Sequence, residues 1–203
     1  MKKGFLDRKE SVILSAVEII DELGIQGLST REIAKRQGIS EGTLFRHFRS
    51  KNDIIAAVLD FYSKYDEDIF HSVRLKHLKA KAAIVFVTDA YATYYENYPA
   101  ITAITQLYSV LLHQQDFAAK VNSILHGRRN CFRQIIENGQ KEGEIRPEAD
   151  SSILADIIGG TFDMVCLMWR LGGYSFSLRG RMLLAVNTLL ESFSLQNTKE
   201  EKA

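Results

Sequence analysis

Proline is nearly absent from this chain: two residues in 203, Pro99 and Pro147. So little proline excludes a string of stiff linkers, and 46% hydrophobic content is enough for one or two compact units. Cysteine is as scarce. Cys131 and Cys166 stand far apart in apolar helical contexts, at neither metal-ligand nor redox-motif spacing, so buried thiols are expected and no metal site is. His71 and His77 are six residues apart and do not share a helix face, so they make no metal pair either. There is no long charge-free apolar run. The longest stretch without Asp, Glu, Lys or Arg, 97–115, holds Pro99 and many Thr, Ser and Gln, so no membrane span is expected. The basic start gives way at once to Asp7, Arg8, Lys9 and Glu10, which argues against a secretory leader and for a cytoplasmic location. Also missing are a phosphate-cradling glycine loop, a paired-histidine metal motif and a Ser or Cys nucleophile elbow. An enzyme is therefore disfavoured, and no cofactor is expected.

What is present is helical periodicity along nearly the whole chain, with no strand alternation, which predicts an all-α protein. Asp7 and Glu10 have capping-box spacing and open a first helix, with Val12, Ala16, Ile19, Ile20 and Leu23 inward and Gly24 at its end. Ser29 and Glu32 repeat the box, and Gly38 supplies a left-handed stop. Ser40 can cap another helix immediately. In that helix Leu44 and Phe48 form one buried edge, and Glu41, Gly42, Thr43, Arg46 and His47 occupy the other face. Two short helices joined by a tight turn, the second one small, polar and basic outside, suit the DNA major groove. Charge agrees. The net charge is only +1, yet residues 29–51 hold six Lys or Arg against two Glu, so positive potential gathers at this pair. Ser50 and Asp53 open a longer helix toward Phe70, whose first turn places Lys51 at a helix N-terminus, a phosphate-clamp geometry.

The segment from about Asp7 to Tyr62 resembles the DNA-binding region of the TetR-type transcriptional regulators. The match is carried by Ala34, Gly38, Ser40, Gly42, Thr43, Leu44, Phe45, His47, Phe48 and Lys51. One position departs: Phe45 stands where the family usually has tyrosine, so no hydroxyl is available for a phosphate, a loss of about 1 kcal/mol that the neighbouring Arg46 could offset. The resemblance implies that Thr30, Thr43, His47 and Lys51 contact phosphates of double-stranded DNA. Arg31, Ser40, Glu41, Gly42 and Arg46 then lie where base edges or backbone can be reached, with Phe45 packed among them. It implies a helix-turn-helix DNA-binding domain over 1–53, a connecting helix over 50–70, a helical effector-binding and dimerisation domain over 71–196 and a polar tail over 197–203. It implies a repressor released from its operator by a small-molecule effector, with an activator of the same fold as the alternative.

The helix from about Asp150 to Leu171 is apolar over more than half its circumference. Ile153, Ile157, Met164 and Leu171 lie on one side, and Leu154, Ile158, Phe162, Val165 and Trp169 on the other. Such a helix needs cover on two sides. The last helix, with Met182, Leu183, Val186, Leu189, Leu190 and Phe193, can supply one, and Gly159 with Gly160 would admit another helix closely. Enclosure within one subunit and a two-fold homodimer are the alternatives. The family's four-helix interface favours the dimer, with Ile158, Phe162, Val165, Trp169, Leu183, Val186 and Leu190 as candidate contacts and a palindromic operator as the target. The resemblance also implies a pocket for a small-molecule effector. Tyr91, Tyr95, Tyr108, Arg128, Phe132, Met164, Met168 and Trp169 are its candidate lining, with core packing the alternative for each. Arg128 falls in mid-arc between Ile124 and Phe132. It either pairs with an internal acid such as Asp163, or snorkels outward, or awaits an anionic ligand.

Overall fold

The computed structural model describes residues 8–194. Both Asp7, the expected first cap, and the 197–203 tail lie outside the described residues. Among the described residues nine α-helices follow one another: α1 (Arg8–Gly27), α2 (Thr30–Gln37), α3 (Glu41–Phe45), α4 (Lys51–Leu75), α5 (Ala80–Asn97), α6 (Thr102–Leu111), α7 (Gln115–Lys141), α8 (Ser151–Leu171) and α9 (Leu178–Phe193). A 3₁₀ turn at Pro99–Ile101 precedes α6, and an antiparallel bridge pairs Ile145 with Ser194. No strand occurs among the described residues, so the all-α expectation holds.

The chain divides into two compact units. One comprises residues 8–68 and Asn97–Leu125, the other Ile69–Glu96 and residues 126–194. This partition differs from the sequence reading, which ended the DNA-binding domain near residue 53 and assigned everything past 71 to a second domain. The physical cause is α1. Its buried residues, Val12, Ile13, Ala16, Val17, Ile19 and Ile20, span too wide an arc for α2 to cover alone. The 3₁₀ turn and α6 pack on α1 as well, and the Tyr98 hydroxyl donates to the Leu14 carbonyl at 3.4 Å. Residues 97–125 therefore fold with the N-terminal helices. Within the same unit Asn52 donates to Asp116 at 2.7 Å and Lys120 pairs with Asp60 at 2.6 Å, tying the start of α7 to α4.

The second unit has a core of Ile84, Ile136, Ile145, Leu154, Ala155, Ile158, Val186 and Leu190. Asp150 caps α8 by accepting from the Ser152 and Ile153 amides at 2.8 and 3.0 Å, and Ser177 caps α9 through the Gly180 amide at 3.0 Å. Gly139 marks a close approach within this unit: a Cβ there would stand 2.4 Å from the Ala80 Cβ and 3.0 Å from Ile145 Cδ1. By length and composition α8 alone among the described helices could cross a membrane. Its circumference is nevertheless broken by Asp156, Asp163 and Arg170, and the Arg129 guanidinium grips Asp156 in two hydrogen bonds, lowering that carboxyl's pKa.

Two predictions test this packing. Gly139→Ala should destabilise the protein by about 1–3 kcal/mol through overpacking, seen as a lower thermal midpoint; an unchanged midpoint would mean that α7 is free to move off α5. Both cysteines are unbridged, but Cys166 is buried and its thiol is pushed up to about 12, chiefly by burial and secondarily by Asp163. Iodoacetamide at mild alkaline pH should modify the half-buried Cys131 and spare Cys166 until denaturant is added.

Candidate functional site: a helix-turn-helix surface and an aromatic cluster

The turn between α2 and α3 is built from local rules. Ser29 accepts from the Glu32 amide at 3.1 Å, and Gly38 closes α2 in the left-handed region (φ 63°) with the Ile39 amide bonded to the Ala34 carbonyl. The reciprocal half of the capping box does not form. The Glu32 carboxylate turns instead to Lys35 and Arg36, at 3.9 and 3.5 Å. Ser40 accepts from the Thr43 amide at 3.2 Å and lies 3.0 Å from its hydroxyl, so α3 begins directly after the turn. α3 has only five helical residues, and its chain continues through bonds from the His47 and Phe48 amides to the Leu44 carbonyl. Leu44 and Phe48 are buried as read from the sequence. Behind them, Gln37 donates to the Ser15 hydroxyl and the Ser11 carbonyl at 2.6 and 3.1 Å and accepts from the Ser11 hydroxyl, locking α2 onto α1.

The candidate DNA contacts separate into two groups. Arg31, Ser40, Gly42, Phe45 and Arg46 are exposed, Phe45 at 46%, and Thr43 and His47 are half-buried beside them. Thr30, Glu41 and Lys51 already have partners inside the protein. The Thr30 hydroxyl donates to Glu41 Oε2 at 2.9 Å, and Lys51 Nζ donates to the Ile25 carbonyl at 2.9 Å. A hydroxyl has one proton to give, so Thr30 cannot serve a phosphate while it holds Glu41; an ammonium has three, so Lys51 keeps two. Charge is likewise redistributed. Arg36 forms a double hydrogen bond with Glu22, which raises the guanidinium pKa and lowers that of the carboxyl, and its charge is spent internally. Arg49, overlooked by the motif comparison, is exposed between α3 and α4, and its amide is fixed by Asp53 Oδ2 at 2.8 Å. The run of basic residues from Arg46 to Lys51 was the available signal.

In the second unit Tyr91, Tyr95 and Phe162 form an aromatic cluster with ring centroids 5.4–6.2 Å apart in edge-to-face arrangements. The Arg128 guanidinium lies 5.7 Å from the centre of the Tyr91 ring. Asp163 keeps an exposed edge, yet the apolar atoms around its carboxyl raise its pKa, an effect that the Arg128 charge only partly offsets. Phe132 packs edge-on against Phe70 at 5.6 Å.

The remaining candidates are placed differently from the sequence reading. Met164 and Met168 are 57% and 49% exposed and do not join the aromatic cluster. Tyr108 is buried, but on α6, which belongs to the other unit. Trp169 is a structural pin: its Nε1 donates to the Phe176 carbonyl at 2.8 Å and its ring meets Tyr174 edge-on at 4.7 Å.

The candidate dimer residues lie largely inside the chain's own packing. Ile158, Trp169, Val186 and Leu190 are already buried in the subunit, while Phe162, Val165 and Leu183 are partly buried, with Phe162 held by the tyrosines. The opposite side of α8 carries the exposed apolar residues, with Ile153, Ile157, Met164, Leu167 and Leu171 spaced alternately by four, seven, three and four around the exposed Gly160. Apart from the chain neighbours and the backbone of α8 itself, no heavy atom of the described residues comes within 4 Å of a Cβ built on Gly159 or Gly160.

Residues 12–58 match the family model of bacterial regulatory proteins of the tetR family, and residues 61–191 match that of the YsiA-like protein, C-terminal region. The fatty acid metabolism regulator protein of Bacillus subtilis (strain 168) is 26% identical over 172 residues, covering 82% of this chain and 86% of that protein. A crystal structure of the transcriptional regulator FadR from Bacillus subtilis, in complex with stearoyl-CoA, superposes with a TM-score of 0.75 at 26% identity, covering 91% of this chain and 96% of that one. The ketosteroid transcriptional regulator KstR2 of Mycobacterium tuberculosis has the same fold, with a TM-score of 0.80 at 19% identity over 95% of this chain and 98% of that one. The outward helix-turn-helix surface and both matched regions lead to one statement: the chain belongs to the TetR family of bacterial transcriptional regulators, with a YsiA-like C-terminal region.

Proposed function

We propose that the protein is a homodimeric repressor that binds a palindromic operator and is released from it by a small-molecule effector of the long-chain acyl-CoA class. The observation that carries the DNA reading is the exposed rim of Arg31, Ser40, Gly42, Phe45 and Arg46 standing on the buried Leu44 and Phe48. Small residues let the backbone approach phosphate, and two arginines reach past it toward base edges. Arg49 adds a phosphate contact, and Lys51 adds another with the donors not used on Ile25.

The apolar stripe of α8 supports the dimer. Spacings of three and four residues keep a seam facing a second helix, and a glycine within it permits close approach. Two copies joined there present two reading heads, which a palindrome accepts when its half-sites lie about 34–36 Å apart. The effector class is suggested by the two Bacillus subtilis comparisons, one a fatty acid metabolism regulator and one a complex with stearoyl-CoA. In this chain the aromatic cluster under Arg128 offers an apolar lining next to a cation. Release works by differential affinity: an effector that favours a conformation with mismatched half-site spacing weakens DNA binding by the same coupling with which DNA weakens the effector.

Operator binding, measured by fluorescence anisotropy on duplexes recovered from the native genome, should fall steeply with salt and be reversed by palmitoyl-CoA; absence of specific binding at low salt refutes the regulator reading. Arg46→Ala should cost about 1–3 kcal/mol and relax preference at one base pair. Arg49→Ala should weaken all sequences alike and lower the salt slope by about 0.9. For the dimer, Leu167→Glu with Met164→Glu should leave the far-ultraviolet circular dichroism intact, halve the mass by light scattering and abolish the advantage of a two-half-site duplex. A double variant that stays dimeric shows that α8 faces something else.

A further inference from the structure

α7 is one continuous helix of 27 residues whose two ends are fastened to different partners. Its first turns belong to the unit that holds the helix-turn-helix. There Asp116 accepts from Asn52, Lys120 pairs with Asp60, and Phe117 and Val121 are buried. Its later turns belong to the second unit, where Arg128 lies over the Tyr91 ring, Arg129 holds Asp156 and Gly139 lies against Ala80. The division between the units falls inside the helix, after Leu125. The stretch at that division is loosely held: Asn122, Ser123, Leu125, His126 and Gly127 are exposed, and Ile124 is the one buried residue among them. Gly127 is its weak point. Glycine is the poorest helix former after proline, a penalty against alanine worth about fivefold in a local equilibrium. At Gly139 packing accounts for the missing side chain. At Gly127 it does not: apart from the chain neighbours and the backbone of α7 itself, no heavy atom of the described residues comes within 4 Å of a Cβ built there.

We propose that Gly127 is a hinge in α7, and that bending there carries effector occupancy beside Arg128 to the start of α4; the coupling rests on the effector-released reading put forward above. A stiff helix fastened at both ends has to break its ties at one of them when the other is displaced. A helix with an unpacked glycine between the ties bends instead, by opening the hydrogen bonds that span it, those of the amides of residues 128–131. The ties decide where the bend is felt. Arg128 comes directly after the glycine and stands at the aromatic cluster, so an effector seated there acts on the first turn beyond the hinge. On the other side Asp116 and Lys120 hold Asn52 and Asp60, and Asn52 follows Lys51 in the first turn of α4. The straight and bent forms are then the two states whose populations the effector and the operator bias in opposite directions.

The test uses the full-length protein and Gly127→Ala, which adds a methyl group in open space, with Asn122→Ala as a control on the same exposed stretch. In hydrogen exchange without effector, the amides of 128–131 should exchange at least about tenfold faster than those of 134–140, and Gly127→Ala should slow them about fivefold. The ratio of operator dissociation constants with and without palmitoyl-CoA should fall about fivefold in Gly127→Ala and stay within about twofold in Asn122→Ala. Operator affinity without effector should be unchanged in both. Exchange at 128–131 no faster than at 134–140 overturns the hinge, whatever palmitoyl-CoA does. A wild type released by palmitoyl-CoA whose Gly127→Ala variant is released equally well overturns the coupling role. An equal loss of release in Asn122→Ala also overturns it, because stiffness of the whole helix would then be what matters. A wild type with the fast exchange that no acyl-CoA releases overturns the effector class and upholds the hinge. Halving of the mass by light scattering in Gly127→Ala would assign the glycine to packing between copies, which overturns the hinge as well.

Discussion

The burial of α1 on two sides is the constraint on which the DNA-binding unit depends. An eight-residue α2 and a five-residue α3 cannot enclose a core of their own. They are held because Ile33, Ala34 and Leu44 pack into a unit whose centre is Val12, Ala16, Val17 and Ile20. Gln37 then fixes the angle by filling its amide with Ser11 and Ser15, part-buried hydrogen bonds that suit one register of α2 on α1. The other side of α1 is covered by residues nearly a hundred positions later in the chain. The reading head is therefore placed by the middle of the protein as well as by its own turn. The early turns of α7 bond to α4 beside Lys51, and the later turns of the same helix carry Arg128 and Phe132.

α8 poses the second constraint. Its inward side meets α9 and the α5 tyrosines, and its outward side is just as apolar. A helix of this kind costs free energy in water unless something covers it, and the seam spacing of its exposed residues suits the helix partner proposed above. The open glycines at 159 and 160 fit the same need. Dimer, half-site spacing and operator symmetry would all follow from this single outward stripe.

The degree to which the sequence could be read varied with the range of the interactions concerned. Ser29, Gly38 and Ser40 did what their positions suggested, because caps and left-handed stops depend on neighbours within four residues. The engagements of Thr30 with Glu41 and of Lys51 with Ile25 were not readable, since each joins residues brought together by the folded turn. The phase of α8 was lost for a different reason. A helix apolar nearly all round has no polar face to mark its outside, so Ile158 and Trp169 looked as available as Ile153 and Leu171. Met164 and Met168 were drawn into the expected pocket by the same ambiguity.

By itself the sequence determined the helical class, the helix-turn-helix with its buried Leu44 and Phe48, and the family, because these rest on periodicity, short-range capping and a dense local motif. Only the tertiary structure decided that residues 97–125 fold with the DNA-binding helices, which side of α8 faces outward, and which cations are already committed to partners. Those outcomes depend on which apolar arcs find one another first and most completely. That competition is settled by packing among distant segments, and no window of neighbouring residues contains it.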